Sequence, residues 1–155
     1  MGAIQDRDQS VCDQCRATSL TVRERGRFDF MSRLCDRCWN TLANEMAEAD
    51  GATAAPRPTL DPDDVTWVEP PVCPVCGAMV GVYRTIYDRW VSLAMVELPA
   101  KDVPEPFRWR LARLPDLSPT PTDIVAVRVR GIDPLPGDPV VPAHRMMCVP
   151  EWDEP

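Results

Sequence analysis

CDQCRATSLTVRERGRFDFMSRLCDRC, residues 12–38, holds four of the seven cysteines of the chain. It begins and ends with a Cys-x-x-Cys pair, and nineteen residues separate the two pairs. A Cys-x-x-Cys turn points two sulfur atoms at one position, so two such turns can supply the four corners of a tetrahedral zinc site. This spacing is typical of zinc-binding proteins. It predicts one zinc ion held by Cys12, Cys15, Cys35 and Cys38.

The residues between and after these pairs predict a β-hairpin followed by a helix. Two short strands over 20–30 are expected to turn at Gly26. Apolar residues at helical spacing over 39–47 predict a helix that ends near Gly51. A hairpin followed by a helix that carries the last two ligands resembles the treble-clef zinc finger. We therefore expect a four-cysteine zinc finger over residues 8–49.

A second set of four ligands lies farther along the chain. Cys73, Cys76 and Cys148 remain of the seven cysteines, and the only histidine, His144, lies four residues before Cys148. Seven cysteines and one histidine fill two tetrahedral sites without remainder. Prolines on either side of the His144 and Cys148 segment predict a tight loop or a single turn. The sequence therefore predicts two structural Zn²⁺ ions in all.

The second half of the chain predicts a mainly β zinc-binding domain over residues 65–150. Alternating or apolar segments predict strands at 65–68, 79–87, 90–98, 107–111 and 124–130. Residues 50–64 are rich in Ala, Pro and Asp without periodicity, which predicts a semi-extended linker. Residues 151–155 form an acidic tail. The expected fold class is a small metal-stabilised α+β protein, in which the finger is linked to a β-rich domain with three cysteines and one histidine as zinc ligands.

Composition and charge exclude several classes of protein. The chain of 155 residues has a net charge of -7 and no basic tail, which argues against a non-specific nucleic-acid binder. The first ten residues contain no apolar run, so we expect no secretory signal. No apolar stretch is long enough for a transmembrane helix. A cytoplasmic location follows, and disulfides are rare there.

Other interpretations of the ligands stay open at this point. Either Cys-x-x-Cys pair can be a redox pair, and four cysteines can hold an iron–sulfur cluster. The pairs can also interleave, the first with the third and the second with the fourth. His144 can be an ordinary surface histidine. The proline-rich linker favours two sequential sites.

Part of the second half resembles a known family. The resemblance rests on CPVCG at 73–77, DRWVSL at 88–93, FRWR at 107–110, and His144 with Cys148. These residues resemble a family of small zinc-binding proteins of unknown function that is common in streptomycetes, over residues 73–150. The resemblance implies that the two cysteines and the terminal histidine and cysteine form one metal site. It implies no activity.

The ligand sets favour a binding function over catalysis. A site with four protein ligands has no open position for water, and such sites are structural. The only histidine is a ligand, which removes the commonest general base. We therefore expect a non-enzymatic adaptor that engages a protein partner, with transcription or its regulation as the candidate process. An enzyme with an open zinc site is the third possibility.

An arginine-rich hairpin carries the second possibility, which is sequence-selective binding of nucleic acid. Residues 16–37 contain six arginines and three acids, a local net charge of +3 in a chain of net charge -7. By strand alternation, Arg23, Arg25 and Arg27 would line one face of the hairpin. Such a face can contact phosphates or an acidic protein surface. A solvated outer face explains the same pattern.

Overall fold

The structure is a computed structural model, and it describes residues 10–28, 30–54, 71–113, 124–131 and 134–150. Within these residues the protein is a small mixed α+β fold, so the predicted fold class is confirmed in outline. Its elements are β1 (Arg23–Arg27), β2 (Phe30–Leu34), α1 (Asp36–Asp50), β3 (Val80–Thr85), β4 (Trp90–Ala94), β5 (Leu98–Pro99), β6 (Arg108–Arg113), β7 (Ile124–Arg128), β8 (Pro139–Pro142) and α2 (His144–Met147). Two short 3-10 turns, Ala100–Asp102 and Glu105–Phe107, connect β5 to β6.

Strands β1 and β2 form an antiparallel hairpin whose tip differs from the predicted one. Arg27 pairs with Phe30, so the chain reverses between these two residues, and Gly26 pairs with Met31 inside the hairpin. The predicted turn at Gly26 is therefore wrong. Gly26 has a φ of 95°, and a Cβ atom there would collide with the carbonyl oxygen of Phe30. The glycine permits a close backbone approach rather than the turn itself.

Helix α1 packs against the hairpin through one apolar face. Its buried residues repeat at helical spacing and include Trp39, Ala43 and Ala47. The ring of Trp39 lies 6.1 Å from the ring of Phe30, measured between centroids. The helix ends where Gly51 adopts a left-handed φ of 76° and donates its N–H to the carbonyl of Ala47, a common helix stop. The predicted helix and its stop are both present.

The other strands form one six-stranded sheet in the order β4-β3-β7-β6-β8-β5. Strands β3 and β7 are parallel, and the other neighbouring pairs are antiparallel. The sheet curls on itself, since Leu93 in β4 forms a bridge with Ala143, directly after β8. The curled face encloses a core around Trp109, which is 0% exposed. The predicted β-rich second half is therefore a curled six-stranded sheet.

Some predicted features differ or lie outside the described residues. Strand β8 is not among the predicted strands, because its two valines stand between prolines, and proline argues against a strand. Segment 79–87 is shorter than predicted, and the chain turns after β3 at Asp88, which has a φ of 56°. The predicted strand 65–68, most of the linker and the acidic tail lie outside the described residues. The predicted domain boundaries therefore stay predictions.

Contacts join residues of the two predicted units. Tyr87, which follows β3, is 1% exposed and belongs to the core formed by the hairpin and α1. Thr53, just after α1, exchanges two backbone hydrogen bonds with Trp90, of 2.7 and 2.9 Å. The end of α1 therefore packs directly on the edge of the sheet.

No helix within the described ranges is long and apolar enough to cross a membrane.

Candidate metal centres

The first four cysteines lie on a tight turn and on the start of α1. Cys12 and Cys15 belong to a turn that is closed by a 2.9 Å hydrogen bond from the N–H of Arg16 to the carbonyl of Cys12. Cys35 directly precedes α1, and Cys38 lies in its first turn. The four sulfur atoms all lie within 4.8 Å of one another. The structure therefore brings together the four residues that the spacing predicts.

Hydrogen bonds from backbone amides lower the pKa of these thiols, and burial raises it. The amides of Cys15 and Cys35 lower the pKa of Cys12 to about 6, although burial opposes the shift. The N–H of Cys35 lies 3.5 Å from the sulfur of Cys12. Burial, followed by hydrogen bonds with the neighbouring thiols, raises the pKa of Cys38 to about 12. Within the set, Cys12 is therefore the most readily ionised thiol and Cys38 the least, and a metal ion would bind both as thiolates.

The turn that carries Cys73 and Cys76 repeats the geometry of the first turn. In each, the first cysteine donates its N–H to the carbonyl of the residue five positions later, at 3.0 Å from Cys12 and 2.8 Å from Cys73. The residue after the second cysteine donates back to the first, and it has a left-handed φ, 61° at Arg16 and 70° at Gly77. The two turns are therefore structurally equivalent ligand-bearing elements.

The sequence carries this equivalence as a short repeat that the cysteine spacing alone does not reveal. V-C-x-x-C-x-A occurs at 11–17 and again at 72–78. The valine of each repeat starts an isolated bridge, from Val11 to Thr18 and from Val72 to Met79. An alignment of the two Cys-x-x-Cys pairs with their flanking residues reveals this repeat, and it could have predicted that the two turns have the same geometry.

The second set of ligands is completed by the C-terminal single turn. His144 begins α2 and Cys148 directly follows it, as the flanking prolines predict. The sulfur of Cys76 lies 3.3 Å from Nε2 of His144, and the sulfurs of Cys73 and Cys148 lie 3.7 Å apart. His144 is 8% exposed, so it is not an ordinary surface histidine. The grouping is sequential rather than interleaved.

The electrostatics of the second set resemble those of the first. The amides of Cys76 and Val75 lower the pKa of Cys73 to about 6. Burial, followed by hydrogen bonds with the other thiols, raises the pKa of Cys148 to about 11. In both sets, the thiol with the lowered pKa is the first residue of its Cys-x-x-Cys turn.

Each set supplies four donors for one metal ion. The first offers four sulfur atoms, and the second offers three sulfurs and one imidazole nitrogen. Such donors suit a tetrahedral ion such as zinc, and four protein ligands leave no position for water or substrate. A metal ion in either set would therefore stabilise the fold rather than activate a water molecule.

A buried carboxylate joins the end of α1 to the sheet, and sequence reasoning missed this role. Asp50 is 2% exposed. It accepts hydrogen bonds from Tyr87 Oη at 3.0 Å, from Arg128 at 3.4 Å and from Arg130 at 2.6 Å. Burial, followed by the charge of Asp50, raises the pKa of Tyr87 above its ordinary value. The sequence indicates only a helix stop at Asp50, since its partners lie 37 to 80 positions away.

Arg145, next to the ligand His144, contacts the same helix end. Its guanidinium lies 3.5 Å from the carbonyl oxygen of Asp50 and 4.9 Å from the centroid of the Phe107 ring. A Cβ atom on Gly51 would stand 2.7 Å from its Cζ atom. The residue next to the ligand His144 therefore contacts the C-terminal end of the helix whose first turn carries ligands of the first set.

The three hairpin arginines do not form the predicted common face. Arg23 is exposed, but Arg25 is 9% exposed. Arg25 donates to the carbonyls of Leu34 and Thr21 and pairs with Asp36. Arg27 is half-buried and lies 3.7 Å from Asp88. Arg25 turns inward while Arg23 stays exposed, because Asp36 at the start of α1 offers a carboxylate to Arg25 and the chain at Leu34 and Thr21 offers two carbonyls.

Comparison with known proteins gives a match to a family model. Residues 47–114 match a family of unknown function, DUF6083. The matched range contains Cys73 and Cys76 but ends before His144, and it overlaps the predicted resemblance over 73–114. The expected link with streptomycetes stays a prediction. No curated protein and no solved structure gives a match. This part of the chain is thus similar to a family whose description names no function.

Proposed function

We propose that the protein is a non-enzymatic adaptor that holds two structural zinc ions and engages a protein partner. The observation that carries the proposal is that both donor sets are complete. Each has four protein ligands within 4.8 Å of one another, and the only histidine of the chain is one of them. A protein with two such sites can bind a partner through its surface, but neither metal has an open coordination position at which a water molecule or a substrate could react.

Zinc is the metal that suits these ligands best. Thiolates with one imidazole in a tetrahedral arrangement favour zinc among the common divalent ions. Zinc binding contributes roughly 10–16 kcal/mol in small zinc-finger peptides. That free energy is large compared with the stability that small hydrophobic cores provide by themselves. The order of hairpin, helix and ligands supports a treble-clef assignment for the first unit. A reducing compartment such as the cytoplasm suits the seven thiols.

A metal count tests the zinc part of the proposal. Protein purified without chelators should contain two zinc ions per chain by elemental analysis. The C35S/C38S double variant and the His144→Ala variant should each lose one, because each removes ligands from one set only. Exposed Arg23 provides a control, since Arg23→Ala should keep both ions. Fewer than two zinc ions in the unaltered protein would refute the assignment.

Capture of partners tests the adaptor part. The tagged chain should retain a defined protein from a lysate of its host, and nuclease treatment should leave that protein bound. The His144→Ala variant should lose it if the second unit forms the contact, and the C35S/C38S variant if the first unit does. Partners that disappear after nuclease treatment would favour nucleic-acid binding instead.

The two other functions have less support. Binding of nucleic acid through the hairpin was predicted to use three arginines, but Arg25 is buried and Arg27 pairs with Asp88. Arg23 alone of the three is fully exposed. An enzyme with an open zinc site would need a position for water, and both ligand sets are already complete. We therefore rank both functions below the adaptor.

A further inference from the structure

A groove of about 450 Å³ lies between the tip of the hairpin and strands β6 and β7. Its apolar lining comes from Ala112 of β6 and from Val127 and Val129 of the β7 segment, with Phe28 from the hairpin tip. The groove thus combines residues of both predicted units. It is separate from the two metal-ligand sets, because it is lined by none of their residues.

The charged lining of this groove is entirely basic among the described residues. It consists of Arg110, Arg128 and Arg130. Asp50 pairs with both Arg128 and Arg130. The three arginines contribute +3 and Asp50 contributes -1, so the local net charge is +2. Arg110 is exposed, and the side chain of Arg130 is 57% exposed even though it is paired with Asp50. In a chain of net charge -7, this is a local excess of positive charge, which attracts anions.

Phe28 gives the groove an exposed aromatic wall. Its side chain is 43% exposed, and the buried cores of the described residues do not include it. Its backbone has a φ of 55°, which is unfavourable for a bulky side chain. Such strain persists at sites where it serves a function. The hairpin turn itself asks for a positive φ at this position, and the exposed ring of Phe28 is available for contact with a partner.

We propose that this groove binds an acidic peptide segment of a partner protein, with one apolar side chain against Phe28, Val127 and Val129. Carboxylates on either side of that anchor residue would pair with Arg110 and Arg130, whose guanidinium groups suit carboxylates. The proposal rests on the proposed adaptor function and names the chemistry of its partner. Nucleic acid fits less well, because a phosphate chain needs an extended basic surface and this protein is acidic overall.

Selection from a random dodecapeptide display library, on the immobilised full chain with its metals bound, tests the proposal. The selected peptides should be acidic and carry an aromatic or large aliphatic residue. Their affinity for the protein should fall by about tenfold or more in Arg110→Glu and in Phe28→Asn. Asn tolerates a left-handed φ, so the second variant removes the ring without straining the backbone.

Arg23→Glu is the matched control, because it makes the same charge change at an exposed strand residue outside the groove. It should change peptide affinity by less than about threefold, as expected for distant surface charges. Metal content and the melting temperature of each variant show that the fold is retained. If no peptide is enriched, or if basic or uncharged peptides are enriched, the groove does not bind acidic segments.

Two further outcomes separate this proposal from the adaptor function. A host protein that binds equally well to the unaltered chain, Arg110→Glu and Phe28→Asn would keep the adaptor function and overturn the groove as its site. Tight, salt-sensitive binding of a labelled oligo(U) or oligo(dT) dodecamer, lost in Arg110→Glu, would assign the groove to nucleic acid and overturn the peptide. Loss of both peptide enrichment and captured protein would overturn both proposals.

Discussion

Among single residues, Asp50 is a buried carboxylate that joins the end of α1 to the sheet. It is 2% exposed and accepts bonds from Tyr87, Arg128 and Arg130. Asp50→Asn keeps the shape but removes the charge beside Arg128, whose side chain is 10% exposed. We expect the free energy of unfolding to fall by about 3 kcal/mol, since breaking a buried ion pair from one side is costly.

Denaturant unfolding of the zinc-loaded protein measures this loss. Glu48→Gln is the matched control, because Glu48 is exposed on the same helix and should change the stability by at most ~0.5 kcal/mol. Equal effects of the two substitutions would show that the buried contact contributes little.

Tyr87 predicts a loss of stability at alkaline pH. Burial and the neighbouring Asp50 raise its pKa in the folded protein above the ordinary value of 10.0, so the fold favours the neutral phenol. Its contribution is complete below about pH 10 and is lost as the pH rises above that value. Tyr87→Phe should therefore be less stable at pH 8, with a smaller decline between pH 9 and 11. Unfolding curves over this range check it, and parallel declines in both proteins would contradict it.

At the scale of elements, the two Cys-x-x-Cys turns both place the residue after the second cysteine in the left-handed region, at Arg16 and at Gly77. Gly77 has a φ of 70°, and nothing lies within 4 Å of a Cβ atom built there. Gly77→Ala should therefore destabilise the protein by about 1 kcal/mol through the backbone alone. Gly137 has equal space and no such φ, so Gly137→Ala should be neutral or slightly stabilising. Thermal unfolding of both variants measures the difference.

The same scale shows which features the sequence could predict. Helix α1 and the two Cys-x-x-Cys turns follow from short-range patterns, namely apolar spacing, a glycine stop and the cysteine pairs, whereas the second ligand set, which spans 75 positions, was predicted by counting the ligands that remained. The hairpin turn could not be predicted, because a backbone contact with Phe30 requires the glycine at position 26. The role of Arg25 depends on Asp36, a residue of the next element. Strand β8 forms between prolines because neighbours on both sides hold it.

At the scale of the whole molecule, the first ligand set is part of a hydrophobic core, so removal of a bound metal ion should also affect that core. Cys12, Cys35 and Cys38 belong to the same buried cluster as Trp39. A strong chelator at neutral pH should abolish cooperative thermal unfolding, because repulsion between thiolates and lost metal bonds exceed what small cores can offset. Circular dichroism and tryptophan fluorescence check this. An unchanged melting temperature without metal would contradict it.

The second ligand set joins Cys73 to Cys148 across 75 positions, and this separation has a consequence for synthesis. All four ligands of the first set exist once the ribosome has added residue 38, so the finger can close early. Cys73 and Cys76 supply only two of the four ligands of the second set until His144 and Cys148 have been synthesised. The nascent chain thus completes its two ligand sets in a fixed order. A chain that stalls before His144 would have its first ligand set complete, while Cys73 and Cys76 would lack the two ligands that complete theirs and would be open to oxidation or to a competing metal.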